Sequence, residues 1–150
     1  MSCEPPIETT MEAAPAELWA ELADATRAFL AESEHSSWEG GQQMGTTVVE
    51  GTERPVHQMP YVRYSGTVSH ILSLLDKIGV VHPFDWPDWE HGQFRGRTAL
   101  LSAPVGDAAR MATVIVRSDR FCEGSIAAAI DEGTFAAVLE RLLRWYEAER

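Results

Sequence analysis

The chain has 150 residues, 45% hydrophobic and 23% charged, enough for one domain of ordinary size to bury a core without disulfide or metal staples. Its 12 basic residues stand against 23 acidic ones, a formal net charge of −11; phosphate contacts need clustered Lys and Arg, so nucleic acid and anionic membrane are disfavoured as main partners. Apolar runs fall short of the ~20 residues of a membrane span, the first thirty residues lack the basic start and apolar core of a signal peptide, and two cysteines, Cys3 and Cys122, make a poor disulfide framework, so a reduced cytoplasm is the expected home.

Residues 1–13, MSCEPPIETTMEA, mix prolines with acidic and polar residues and show no periodicity. They read as a mobile tail, leaving a single helical domain over 14–150. In PAELWAELADATRAFLAES the pattern changes. Pro15 suits a first helical position, where its missing N–H costs nothing, and Trp19, Leu22, Thr26, Phe29 and Leu30 recur at helical spacing. Glu17, Glu21 and Asp24 lie toward the N-terminal half, where carboxylates favour the helix dipole.

From Ser33 to Tyr64 that signal disappears. SSWEGGQQMG reads as a glycine-rich loop around Trp38. TTVVEGTERPVHQMPYVRY carries β-branched and aromatic runs on either side of EGTERP, which predicts a two-stranded hairpin. Pro60 cannot donate to a ladder, so the second run is expected at an edge or merely extended. Ser65 is then a suitable N-cap. Val68, Ile71, Leu72, Leu75 and Ile78 follow helical spacing, and Gly79 supplies the stop. Val80 and Val81 read as extended and buried, and Asp85 as the cap of a short turn over 86–91.

The C-terminal third reads as helical almost throughout. GDAARMATVIVRSDRF has Asp107 near its start and apolar residues at Ala108, Met111, Ala112 and Ile115; its length and helix-forming first half outweigh the β-branched TVIV. SIAAAIDEG predicts a short helix closed by Gly133. TFAAVLERLLRWYEAER is expected to be capped by Thr134, with Phe135, Val138, Leu139, Leu142 and Tyr146 on one face and a Glu140–Arg144 pair on the other. The predicted fold is therefore mainly α, a bundle-like single domain with a small β-hairpin or extended element between its first and second helices.

Three phrases occur together: MPYVRYS at 59–65, VVHPFDWPDW at 80–89, and VRSDRFCEG at 116–124 followed by a helix carrying LERLL. In order and spacing they resemble a bacterial family known only as a domain of unknown function, over roughly residues 38–145. The resemblance implies no activity, substrate or cofactor. It does imply that a local function involves these phrases.

Within VRSDRFCEG, Arg117 and Arg120 fall in the last turn of a helix, where cations complement the dipole. Asp119 or Glu123 can pair with them across the break, which would make the phrase an ion-paired joint between two helices. The sharper reading makes the two arginines an anion clamp beside the N-terminus of the helix starting near Ser125, whose free N–H groups suit phosphate or carboxylate. Trp86 and Trp89, three apart, would share a face of a turn. They either plug one end of the core or leave an indole exposed as a stacking wall or docking anchor. Asp85 and Asp88 are either caps or a carboxylate pair. The five histidines are scattered, with no His-x-x-x-His or Cys-x-x-Cys spacing. No metal or cofactor is therefore assigned, although His82 and His91 could converge with Glu90. Cys122 as a nucleophile would need a nearby base, and a cysteine in a helical hairpin is usually buried and inert.

Two functions follow. The first is a non-enzymatic interaction or ligand-binding domain, its face built from Trp86, Trp89, Tyr61 or Tyr64. The second is an enzyme acting on a phosphorylated or nucleotide-like substrate, held by Arg117 and Arg120, with Asp119 or Glu123 as acid or base. The expected partner is a protein or a small anionic ligand, and a homodimer stays open.

Overall fold

A computed structural model describes residues 6–57 and 59–150. Helix α1 (Ile7–Ala13) leads into α2 (Ala16–Ala31). Four short strands follow, β1 (Ser36–Glu39), β2 (Gln43–Val49), β3 (Thr52–His57) and β4 (Tyr61–Tyr64). The rest is helical: α3 (Gly66–Ile78), a 3-10 turn (Gly92–Phe94), α4 (Arg97–Ser102), α5 (Val105–Ser118), α6 (Ser125–Asp131) and α7 (Thr134–Arg144), which ends in a wider π turn (Trp145–Glu149).

One apolar cluster runs from Met11 to Trp145 and draws on every one of these α-helices. The helical spacings place it. Val68, Ile71, Leu75 and Ile78 are buried on α3, joined by Leu74, and Phe135, Val138, Leu139 and Leu142 on α7. On α2, Trp19, Leu22, Ala25, Thr26 and Phe29 face inward, but Leu30 points to solvent. Each fully buried large side chain of this kind is worth about 1.5–3 kcal/mol against exposure. The stretch Val114–Ile115–Val116 belongs to α5, as its helical context predicts. Ser65 caps α3 by accepting from Val68 N–H (3.2 Å), and Gly79 closes it in the left-handed region at φ 92°.

Several expectations are corrected. The segment read as a tail over 1–13 contains α1 from Ile7; residues 1–5 lie outside the described ones. Seven residues with large apolar side chains only at Ile7 and Met11 are too short to show a period. The helix is held by tertiary contacts: Met11 is fully buried, and its carbonyl accepts the indole N–H of Trp19 (3.0 Å). Because α1 precedes α2, the strands lie after the second helix, not between the first and second.

The strands also pair differently. β2 pairs with β3 around a two-residue turn at Glu50 and Gly51, both at positive φ, so TERPVH itself is the return strand. MPYVRY instead contributes β4, which pairs antiparallel with β1, the stretch read as a loop around Trp38. The two ladders are successive halves of one ribbon, interrupted at Gly40–Gly41. There Gly40 sits at φ 93°, and a side chain would meet the Met59 carbonyl at 2.7 Å.

The expected turn forms at 86–88 and runs on irregularly to 91. Pro87 sits within it, and its two indoles contact Phe84, Phe94 and Phe121. Gly133 rather than Thr134 is the cap of α7; the buried Thr134 hydroxyl donates to Glu132 (2.9 Å) and accepts from Gly96 N–H (3.1 Å). Glu140 pairs with Arg97 (2.7 Å) and Arg144 with Glu149 (3.2 Å), not with each other.

Candidate functional site: an arginine and aromatic cleft

The site begins with how α5 holds the aromatic turn. Thr113, fully buried on α5, accepts from His82 N–H (3.2 Å), and its hydroxyl has the carbonyls of Ala109 (3.1 Å) and Val80 (3.3 Å) within reach. His82 Nδ1 lies 2.8 Å from the Val80 carbonyl and donates to it. Its ring stacks on Phe84 (5.0 Å). The turn is thereby pinned alongside the C-terminal end of α5, where Arg117 and Arg120 project.

The result is a cleft of about 330 Å³ between the turn and the elbow that joins α5 to α6 (residues 117–123), lined by His82, Pro83, Phe84, Trp86, Arg117, Arg120 and Phe121. Within it Trp86 and Phe121 form a tilted aromatic pair, 6.1 Å between ring centres. Phe121 is 81% exposed. Among the described residues, neither Arg117 nor Arg120 lies within ion-pair distance of a carboxylate. Two free guanidiniums beside two aromatic faces in a chain of net charge −11 form a local inversion of the overall charge.

The acids of the elbow have other work. Asp119 Oδ1 accepts from the Tyr64 hydroxyl (3.0 Å) and from Ile126 N–H (3.1 Å) in the first turn of α6. The Tyr64 oxygen in turn accepts from Ala127 N–H (3.2 Å). Glu123 accepts from Val62 N–H of β4 (2.9 Å). Burial, then the hydrogen bond to Asp119, pushes the Tyr64 phenol well above its ordinary range. The expected ion-paired joint is thus corrected: the joint exists, but its acids are tied to main-chain donors and a phenol, not to the arginines. The N-terminus of α6, expected to be open to a ligand anion, is occupied by the protein's own carboxylate and phenol.

The remaining candidates scatter. Trp86 lies in the cleft, but Trp89 turns the other way, half-buried against the core and stacked on Phe94 (5.3 Å). Without a regular helical turn the i, i+3 relation does not put both indoles on one face. Tyr61 is on the ribbon, its hydroxyl donating to Glu39 (3.1 Å). Asp85 and Asp88 do stand together at the surface, and Asp88 raises the Asp85 carboxyl above its usual range. Cys122 is exposed rather than buried. Among the described residues no three His, Cys, Asp or Glu side chains gather as a metal site, so His82, His91 and Glu90 do not converge.

Two contributors were missed in the sequence. Phe121 carried a signal: an aromatic after the last turn of a helix, inside SDRFCEG, has no apolar neighbours to bury against. Trp38 was read only as a loop residue. Its ring lies over Gly124, where a Cβ would come within 2.9 Å, and Gly124 sits at φ 92°. This contact seats the elbow on the β1–β4 ladder.

The fold and cleft describe a mainly helical domain with a projecting β-ribbon and an arginine-bearing surface cleft, a class of architecture that does not by itself name a reaction. The chain belongs to a family of unknown function, DUF6508, whose model matches residues 14–148. That match begins at the start of α2, earlier than the resemblance over 38–145, and leaves α1 outside. No curated protein and no solved structure matches the chain.

Proposed function

We propose that this protein is a non-enzymatic binding domain that recognises an anionic group joined to a flat apolar one, held between Arg117, Arg120, Trp86 and Phe121. One observation carries the reading: both arginines, without carboxylate partners among the described residues, line a cleft that Phe84, Trp86 and Phe121 also line. A guanidinium presents a rigid fork of donors suited to carboxylate or phosphate, and it stacks on aromatic faces. The enzymatic alternative, with Asp119 or Glu123 as acid or base, is weakened because both carboxylates already accept two and one hydrogen bonds respectively from the protein itself. A proton-transfer group must be free to reach the reacting atom.

No helix among the described residues is long and apolar enough to cross a membrane. The exposed free thiol of Cys122 supports a reducing compartment such as the cytoplasm. The test is thermal unfolding with a panel of nucleotides and aromatic carboxylates. A binder raises the melting temperature of the unaltered protein by mass action. The Arg117→Ala, Arg120→Ala double variant is expected to melt where the parent does and to lose that rise. A panel that shifts neither protein, or both equally, would end the proposal.

A further inference from the structure

The outer half of the ribbon is the other feature the cleft does not account for. Every residue of β2 and every described residue of β3 is exposed, on both faces. Val48 is 67% exposed and Met44 70%. A lone two-stranded ribbon with no covered face is marginal in water; three or more strands are needed to stabilise one. At about 3.4 Å per residue, β2 reaches roughly 20 Å from the kink.

The two edges of this arm are not equivalent. A two-residue turn makes Val49 and Thr52 the first hydrogen-bonded pair, so the next rung, Val48 and Glu53, points its amides outward, as does Thr46 with Pro55. On β3 the outward position is therefore held by Pro55, which has no N–H, beside the charged Glu53. That edge is closed to another strand. On β2 the outward positions are Thr46 and Val48, and the strand QMGTTVV carries no charge at all.

We infer that β2 pairs antiparallel with β2 of a second copy of this chain about a twofold axis at Thr47, giving a four-stranded sheet in the order β3-β2-β2-β3. A second copy is the occupant the arm itself argues for. The pairing places Thr46 opposite Val48 in both directions, so outward amides meet outward carbonyls. It places Val49 of each copy over the bare Gly45 of the other, next to Val56 on the same face. Val48 gains Thr46 and Val49 gains Gly45 of the other copy as lateral neighbours, and no like charges face each other at the seam although each chain carries −11. The same patch serves both partners, as a twofold interface requires.

Mass measurement by light scattering across a concentration series tests this, with two proline variants on the same rung. Val48→Pro removes an outward amide at the proposed seam. Glu53→Pro places the same burden on the arm at the opposite edge. The unaltered protein and Glu53→Pro are expected at twice the chain mass, and Val48→Pro to dissociate about tenfold more readily or beyond. A monomeric parent overturns the inference, as does a dimer lost in both variants or kept in both. In a background with Cys3→Ser and Cys122→Ser, Thr47→Cys is expected to cross-link between copies and Arg54→Cys not to. Equal cross-linking of the two would place the contact elsewhere.

Discussion

Arg141 and Arg117 are the same residue on neighbouring helices, used in opposite ways. Arg141 of α7 is buried: its Nε–H donates to the Ala103 carbonyl (2.7 Å), and its two terminal nitrogens hold Glu149 at 3.0 and 2.9 Å. Arg144 reaches the same carboxylate. Arg117 of α5 has no such partner among the described residues and lines an open cleft. A buried cation has to be matched by acceptors or it destabilises the fold, whereas a half-exposed one keeps its hydration and can wait for a ligand. The pairing of an arginine, not its presence, separates a structural cation from a recognition group here.

That contrast can be broken at its structural end first. Arg141→Ala is expected to lower stability by about 2–3 kcal/mol, through lost packing of the stem and an orphaned Ala103 carbonyl; chemical denaturation measures it, and a loss below 0.5 kcal/mol would contradict the structural role. The hydrogen bonds from Arg141 hold the Glu149 carboxyl below its usual range. A depressed folded value means the stabilisation is complete above the unfolded carboxylate pKa, about 4.3. It fades as pH falls through the folded value. Glu149→Gln should flatten that acid limb of a stability profile.

Next in size is the acidic half of the elbow. Asp119→Ala strips the Ile126 amide and the Tyr64 hydroxyl of their acceptor and should cost about 2 kcal/mol. A change that left unfolding untouched while abolishing ligand binding would restore Asp119 as a site residue. Tyr64→Phe removes both the donation to Asp119 and the bond from Ala127 N–H, for about 1 kcal/mol. The Tyr64 phenol is raised in the folded state, so its stabilisation is whole below the unfolded value of about 10 and is lost as pH climbs above it. Stability measured from pH 9 to 11 should fall more steeply in the parent than in the Phe variant. Smallest of all, Arg117→Ala should change stability by less than about 0.5 kcal/mol, and a larger loss would make Arg117 another Arg141.

Much of the helical layout was legible because burial on one side of a helix imposes a spacing that one sequence displays. The caps at Ser65 and Gly79 and the face of α7 are local chemistry. α1 was not legible, because seven residues tied down by the Trp19 indole show no pattern of their own. The ribbon was half legible. Glu50-Gly51 marks a turn, but which strand returned depended on the kink at Gly40 and on Trp38 settling over Gly124. The elbow was legible as a cluster and misread in its wiring, since Tyr64 and Val62, more than fifty residues away, take its two acids.

By itself, then, the order of residues determined where the longer helices run, which of their faces are apolar, and that charges gather at 117–123. Those are properties of neighbours within a turn or two, decided by spacing, capping and solvation. Only the tertiary structure decided that Asp119 and Glu123 are spoken for, that Arg117 and Arg120 stand beside Trp86 and Phe121 without a carboxylate among the described residues, and that one edge of the ribbon is left open. Those outcomes depend on distances across the fold, because a hydrogen-bonding group is defined by its partner, and the partner is chosen when the chain closes on itself.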